Sequence, residues 1–203
     1  MRKTFVLLSL LAALVAHAQH PAMPDVFREM PAEAVPYLSQ NNRLDLLDFM
    51  VSGMDAEVVN QLGGKSRLLE LTDQYLLLQL NDAVTMEMQL LPVSQPVDSA
   101  QHILCVVQTY GTDIRESTVA FYSLSWHPLP ASDYLDLPLP PGQMFVASLH
   151  TPAPSPSPAS TPEQPMLTLQ PVTQLDAPAS EEQETRSEPS TILKWRGKFI
   201  KER

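Results

Sequence analysis

Between residues 66 and 126 apolar and polar side chains alternate at period two, and only tight turns interrupt the pattern. Alternation of this kind puts successive side chains on opposite faces of a strand. Residues 66–72 and 75–80 read as the first two strands, joined at Asp73-Gln74. After a turn at Asn81-Asp82, Val84, Met86, Met88 and Leu90 alternate with Thr85, Glu87 and Gln89, which predicts a strand with one buried face. Pro92 and Pro96 are expected to break it. Residues 103–107 are continuously apolar, as a core strand is. Gly111 opens a turn, after which Thr118, Ala120, Tyr122, Leu124 and Trp126 alternate with Val119, Phe121, Ser123 and Ser125 until Pro128 and Pro130 end the run. The connections are too short for parallel crossovers, so neighbouring strands are expected to be antiparallel.

The residues before this region have a helical period. Met23, Val26, Phe27 and Met30 sit at helical spacing in a proline-bearing lead-in and predict a short helical turn. Leu44, Leu47, Val51, Met54 and Val58 recur at three- and four-residue steps and predict one apolar helical face over 41–63. Ser39 or Asn41 supplies the N-cap, and Asp45 and Asp48 suit the positive end of the helix dipole. Ser52-Gly53 weakens the middle. The expectation is therefore two short helices, the second capped by Asp55 and ended at Gly63, or one kinked helix.

Proline shapes the C-terminal third. Residues 151–190 hold nine of the 20 prolines and no glycine. The Pro/Ser-rich part, 151–165, is expected to be an extended, disordered linker, because it has too little apolar surface to offset the entropy of ordering. Residues 143–149 predict a strand, and 166–169 a short edge strand. Ile192 to Trp195, then Arg196-Gly197, then Lys198 to Ile200 reads as a hairpin whose turn takes its positive φ at Gly197. Trp195 and Phe199 are expected to dock on the main sheet. The fold class is thus α+β: one or two N-terminal helices on an antiparallel meander, with a linker or insertion at 151–190 and a C-terminal hairpin at 191–203. Residues 19–150 form the main domain.

Residues 1–18 read as a signal peptide: Arg2 and Lys3, an uncharged apolar run over 5–15, then Ala16-His17-Ala18 as the cleavage signal. The run falls short of the ~20 residues that span a bilayer. Export to the periplasm or beyond, with cleavage after Ala18 and no membrane span left, is the expectation. The full chain carries 13 basic and 23 acidic residues, a net charge of -10, and loses Arg2 and Lys3 on cleavage. Such a surface disfavours nucleic acid, which is bound through basic faces. A single cysteine, Cys105, excludes an internal disulfide framework and a Cys-rich zinc site.

Few residues carry a chemical pattern. Asp45 and Asp48 lie one helical turn apart, but acid/base work needs burial to split two carboxyl pKa values, and dipole complementation is the plainer role. Cys105, between Leu104 and Val106, reads as a buried small hydrophobe rather than a nucleophile. Zinc would need His102, His127 and a carboxylate such as Glu87 to converge in space. Gly63-Gly64-Lys65-Ser66 is like the end of a phosphate loop, yet Val59 stands where its first glycine belongs, and here a helix precedes and a strand follows. The candidate ligand or partner residues are Asp113, Arg115 and Glu116 in the turn before the last central strand, whose plainer role is to cap the hairpin with surface ion pairs, and Tyr110, Tyr122 and Trp126, which could line an apolar pocket but whose plainer role is core packing. No catalytic residue, metal or cofactor is assigned.

Several short motifs occur in order: Pro36-Tyr37-Leu38-Ser39, Asn41-Asn42-Arg43-Leu44-Asp45, Leu62-Gly63-Gly64-Lys65-Ser66, Gln108-Thr109-Tyr110-Gly111-Thr112, Arg115-Glu116-Ser117, Phe121-Tyr122-Ser123 with Trp126, and Trp195-Arg196-Gly197-Lys198-Phe199. Together they resemble the DUF3256 family of exported Bacteroidetes proteins of unknown function. The resemblance covers residues 23–130 and the C-terminal ending; it implies export but no activity, and the 151–165 stretch departs from the pattern. The expected function is a non-catalytic periplasmic module that recognises an envelope protein through a sheet face or an edge strand. The alternatives are a carrier of a small apolar or glycan ligand, with a cavity at Met86, Met88, Tyr110, Tyr122 and Trp126, and a hydrolase using Asp45, Asp48 or Glu57.

Overall fold

Seven strands follow one another through a meander in the computed structural model, which describes residues 21–150, 164–172 and 190–201. Residues 1–20, where the signal peptide is expected, and most of the Pro/Ser-rich and acidic stretches lie outside the described residues. The strands are β1 (Glu57–Val59), β2 (Lys65–Leu71), β3 (Tyr75–Asn81), β4 (Val84–Val97), β5 (Ala100–Tyr110), β6 (Glu116–Tyr122) and β7 (Pro128–Leu129). Each pairs antiparallel with the next, so sheet order is chain order. Two helices cover one face: α1 (Met23–Arg28) and α2 (Gln40–Val51). After a single turn, α3 (Ala131–Tyr134), a second antiparallel sheet forms from β8 (Phe145–His150), β9 (Met166–Pro171), β10 (Thr191–Trp195) and β11 (Phe199–Lys201), ordered β11-β10-β9-β8. The fold is α+β, with the C-terminal hairpin seated in this second sheet.

Two cores result, one on each side of the meander. On the helix side Met86, Met88 and Leu90 of β4 and Leu104 and Val106 of β5 pack with Met23, Phe27, Leu46 and Leu47. On the other side Leu91, Ile103, Cys105, Val107 and Phe121 meet Leu149, Leu167, Leu169, Leu193, Trp195 and Phe199 of the second sheet. Fully burying a large apolar side chain contributes roughly 1.5–3 kcal/mol, so each layer has a substantial interior. Trp195 anchors the hairpin: its ring meets Phe199 edge-on at 5.0 Å, and its Nε1–H donates to the Pro92 carbonyl at 2.7 Å. Gly197 has φ +81, as the turn requires.

Helix α2 starts where Ser39 predicts. Its hydroxyl accepts the Asn42 amide at 3.0 Å, and Asn42 Oδ1 accepts the Ser39 amide at 3.1 Å, a reciprocal capping box. Its buried face, however, is Arg43, Leu46 and Leu47, whereas Leu44 is exposed and Val51 is 85 % exposed. The helix ends at Ser52, with Gly53 left-handed after it.

No second helix follows. Glu57–Val59 forms β1, and Gly63 with φ +81 serves the β1–β2 turn instead. The paired β-branched residues Val58 and Val59 favour a strand there. Pro92 and Pro96 do not break β4, which continues to Val97. Beyond Gln89, β4 has no β3 residue beside it, so a missing amide on that side breaks no ladder. Leu124 and Trp126 do not extend β6. Ser123 accepts the Trp126 amide and donates to the His127 carbonyl, both at 2.9 Å, closing a three-residue loop into β7. Trp126 takes its left-handed position with φ 62, where glycine is usual. Strand β9 is longer than the expected edge strand and is interior, between β8 and β10.

Candidate functional site

The alternating ends of the meander bring the β1–β2, β3–β4 and β5–β6 turns to one end of the sheet. Their tips carry exposed side chains on a rigid frame. Asn60, itself buried, holds the first turn: its Oδ1 accepts the amides of Leu62 at 3.0 Å and Gly64 at 3.1 Å, while its Nδ2 donates to the Leu80 carbonyl and to Ser66 Oγ, each at 3.1 Å. Gln61 N–H donates to the Tyr37 carbonyl at 2.9 Å. Asn81 Oδ1 accepts the Ala83 amide at 2.8 Å and fixes the second turn. Gly111 N–H then donates to the Ala83 carbonyl at 2.8 Å and ties the second turn to the third. Gly111 is left-handed, φ +103, and a Cβ there would lie 2.0 Å from the Ile114 carbonyl oxygen.

These locked turns expose large apolar groups: Leu62 at 68 %, Ile114 at 65 % and Tyr110 at 42 %. Asp82, Ala83, Thr85, Gly111, Thr112 and Arg115 line an open cleft of about 340 Å³ between the second and third turns. Asp113 and Glu116 stand on the same loop, both exposed. Partial burial raises the Tyr110 phenol pKa, with Tyr37 and Tyr122 adding to the rise.

Four of the six candidate residues, Tyr110, Asp113, Arg115 and Glu116, are thus brought together at the turn end. Tyr122 and Trp126 belong to the other end of β6. Their rings pair at 5.5 Å against the helix-side core, and Trp126 Nε1–H donates to the Val26 carbonyl at 3.3 Å. They are packing groups of α1. Leu62, Ile114 and Asn60 were missed by sequence reasoning. The Asn60-to-Gly64 turn signal was present, but reading 55–63 as a helix hid it.

The other candidate chemistries find no geometry. Met86 and Met88 are both buried in the helix-side core. Asp45 and Asp48 are exposed on α2. Glu57 is paired with Lys65 and Arg67, whose hydrogen bonds hold its carboxyl pKa below the usual range, the wrong direction for a general acid. His127 Nδ1 lies 3.1 Å from Asp98 Oδ2. Among the described residues no group of three His, Cys, Asp or Glu side chains is placed to hold a metal ion. Cys105 is fully buried, and desolvation pushes its thiol pKa up.

A polar row was not foreseen. Half-buried Glu87 and buried Gln89 of β4, with buried Thr109 of β5 and Ser117 of β6, lie on the face toward the second sheet. Glu87 Oε2 accepts the Leu149 amide at 2.8 Å, the Tyr75 hydroxyl at 3.1 Å and the Ser148 hydroxyl at 3.4 Å. Burial raises its carboxyl pKa, opposed by those hydrogen bonds.

Helices on one side of an antiparallel meander and a second antiparallel sheet on the other define the class. The chain belongs to the DUF3256 family, "Protein of unknown function", whose model matches residues 13–153. A similar solved structure is a domain of an uncharacterized protein from Porphyromonas gingivalis W83, with a TM-score of 0.62 at 18 % identity over 88 % of this chain and 98 % of that one. That likeness concerns the fold. No curated protein matches the sequence. Among the described residues no helix is long and apolar enough to cross a membrane.

Proposed function

We propose that the chain is exported after cleavage at Ala18 and acts as a non-catalytic module that binds a protein of the cell envelope through the turn end of its meander. Export rests on the Arg2-Lys3, apolar and Ala16-His17-Ala18 sequence of its first 18 residues. Binding rests on one observation: three turns are fixed by buried side-chain and cross-turn hydrogen bonds, yet hold Leu62, Tyr110 and Ile114 out in water. Apolar groups so placed add nothing to the interior, and rigid presentation lowers the entropy lost on association. Asp113, Arg115 and Glu116 form the polar rim that sets specificity.

The sheet edges support this choice of surface. Asn42 Nδ2 covers the Val59 carbonyl on β1, Asp136 N–H pairs with the Phe199 carbonyl beside β11, and Ser117 and Glu87 accept the edge amides of β8. A test is photocrosslinking in the native host, with the crosslinker at residue 62 or 114 and at residue 73 as a control on the opposite end. A defined protein adduct from 62 and 114 but not from 73, in the periplasmic fraction, is expected. Equal adducts from all three positions, or a cytoplasmic protein retaining residues 1–18, would overturn the proposal.

A further inference from the structure

Strand β8 lies at the edge of the second sheet and touches β4, β5 and β6. Two of its amides leave their own sheet to reach the meander. Ala147 N–H donates to Ser117 Oγ at 2.9 Å, and Ser117 is held in turn by Thr109 Oγ1 at 2.7 Å. Leu149 N–H donates to Glu87 at 2.8 Å. The first attachment is neutral. The second ends on an ionisable group half-buried between the sheets. Beside it Gln89 is 0 % accessible, and neither its Nε2 nor its Oε1 has a hydrogen-bond partner among the described residues. Lifting of the second sheet would expose that amide to hydration.

We propose that Glu87 is a proton-operated latch that sets how firmly the β8–β11 sheet closes over the polar face of Tyr75, Glu87, Gln89, Thr109 and Ser117. The groups around the latch are known on every packed element. Tyr75 from β3 donates to it and has its own pKa raised by burial and by Glu87. Cys105 from β5 senses its charge, His150 from β8 favours its ionised form, and Glu70 from β2 acts on Tyr75. Burial dominates, so the closed form binds a proton more tightly than the opened, solvated form. Closure is therefore firmest below the opened form's pKa and weakens as pH rises through the closed form's pKa. Between those two values the closing equilibrium changes about tenfold per pH unit, one proton being linked to it.

The experiment is hydrogen exchange on the full chain from pH 4.5 to 8, corrected for intrinsic exchange, comparing residues 145–150 with β3 as the internal reference. The expected result is protection of 145–150 that falls relative to β3 as pH rises. Glu87→Gln keeps an acceptor and cannot ionise, so it should flatten that fall and keep 145–150 protected at pH 8. Tyr75→Phe removes a donor to the carboxylate and should extend the fall to higher pH, which serves if the glutamine variant does not fold. His150→Gln removes a group that favours the ionised carboxylate in the closed form, so the fall should persist and extend to higher pH. Protection of 145–150 that tracks β3 at every pH, or a slope that survives Glu87→Gln, would overturn the proposal.

Discussion

The Trp195 indole donates its N–H to the Pro92 carbonyl at 2.7 Å, joining the C-terminal hairpin to a strand 103 positions earlier. Pro92 lies where β4 has outrun β3, so its carbonyl is available to the second layer. Trp195→Ala removes that bond together with the ring against Phe199 and Tyr134. A loss of about 3–5 kcal/mol of unfolding free energy is expected in urea denaturation. Trp195→Phe keeps most of the packing and loses the bond, so about 1–2 kcal/mol is expected. Equal losses for the two variants would show that the Pro92 contact contributes nothing.

Asn60 can be tested with two substitutions. Asn60→Ala leaves the Leu62 and Gly64 amides without their partner, at about 1–3 kcal/mol, while the Leu80 carbonyl keeps the Ser66 hydroxyl at 2.7 Å. Asn60→Asp keeps the acceptor but replaces the donor facing Leu80 with a second acceptor and brings in a charge. Differential denaturation should place the aspartate variant below the alanine variant at pH 7, with the gap closing as the carboxyl protonates in acid.

Gly111→Ala forces a left-handed alanine against the Ile114 carbonyl. Backbone strain alone costs roughly 1–3 kcal/mol. The β5–β6 turn must shift to relieve the overlap, so crosslinking from residue 114 should fall while the protein still melts cooperatively.

Cys105 lies beneath the second sheet, so its labelling reports opening of that layer. At fixed pH a small thiol reagent should modify the native protein far more slowly than the urea-unfolded chain. Glu87→Gln should slow native labelling further at pH 8, relative to the unchanged protein at the same pH. Fast labelling of the native wild type would show that the layer does not cover the thiol.

The meander was legible because its pairings are local. Tyr75–Asn81 and Val84–Val97 are separated by one turn, and alternation within each sets the register. The turn chemistry at Gly111 and Gly197 was legible for the same reason. What misled was apolar surface with a purpose other than the core. Leu44, Val51 and Met54 match the spacing of a buried face, yet all three are exposed, while Arg43 lies in the interior with its Nη1 on the Leu38 carbonyl. Thr85, Glu87 and Gln89 read as a solvent face because they are polar. Glu87 and Gln89 face the second sheet instead, whose strands come from residues 145–201, beyond the reach of local patterning, while Thr85 borders the open cleft. The site was half legible: polar turn residues announced Asp113, Arg115 and Glu116, but exposed Leu62 and Ile114 carry no signal that separates them from core residues.

The order in which the two layers are made has its own consequence. Synthesis runs from the N-terminus, and the meander with its helices is complete once Leu129 has been added. Its far side, with Leu91, Ile103, Val107 and Phe121, stays bare until the chain has been extended to Phe199. The main sheet assembles from neighbours, whereas β8, β9 and β10 must find each other across long intervening stretches, which is slower. A chain that folds in this order passes through a state whose meander is ordered while its far side is still apolar and uncovered, and association of two such chains through that side would compete with completion of the second layer.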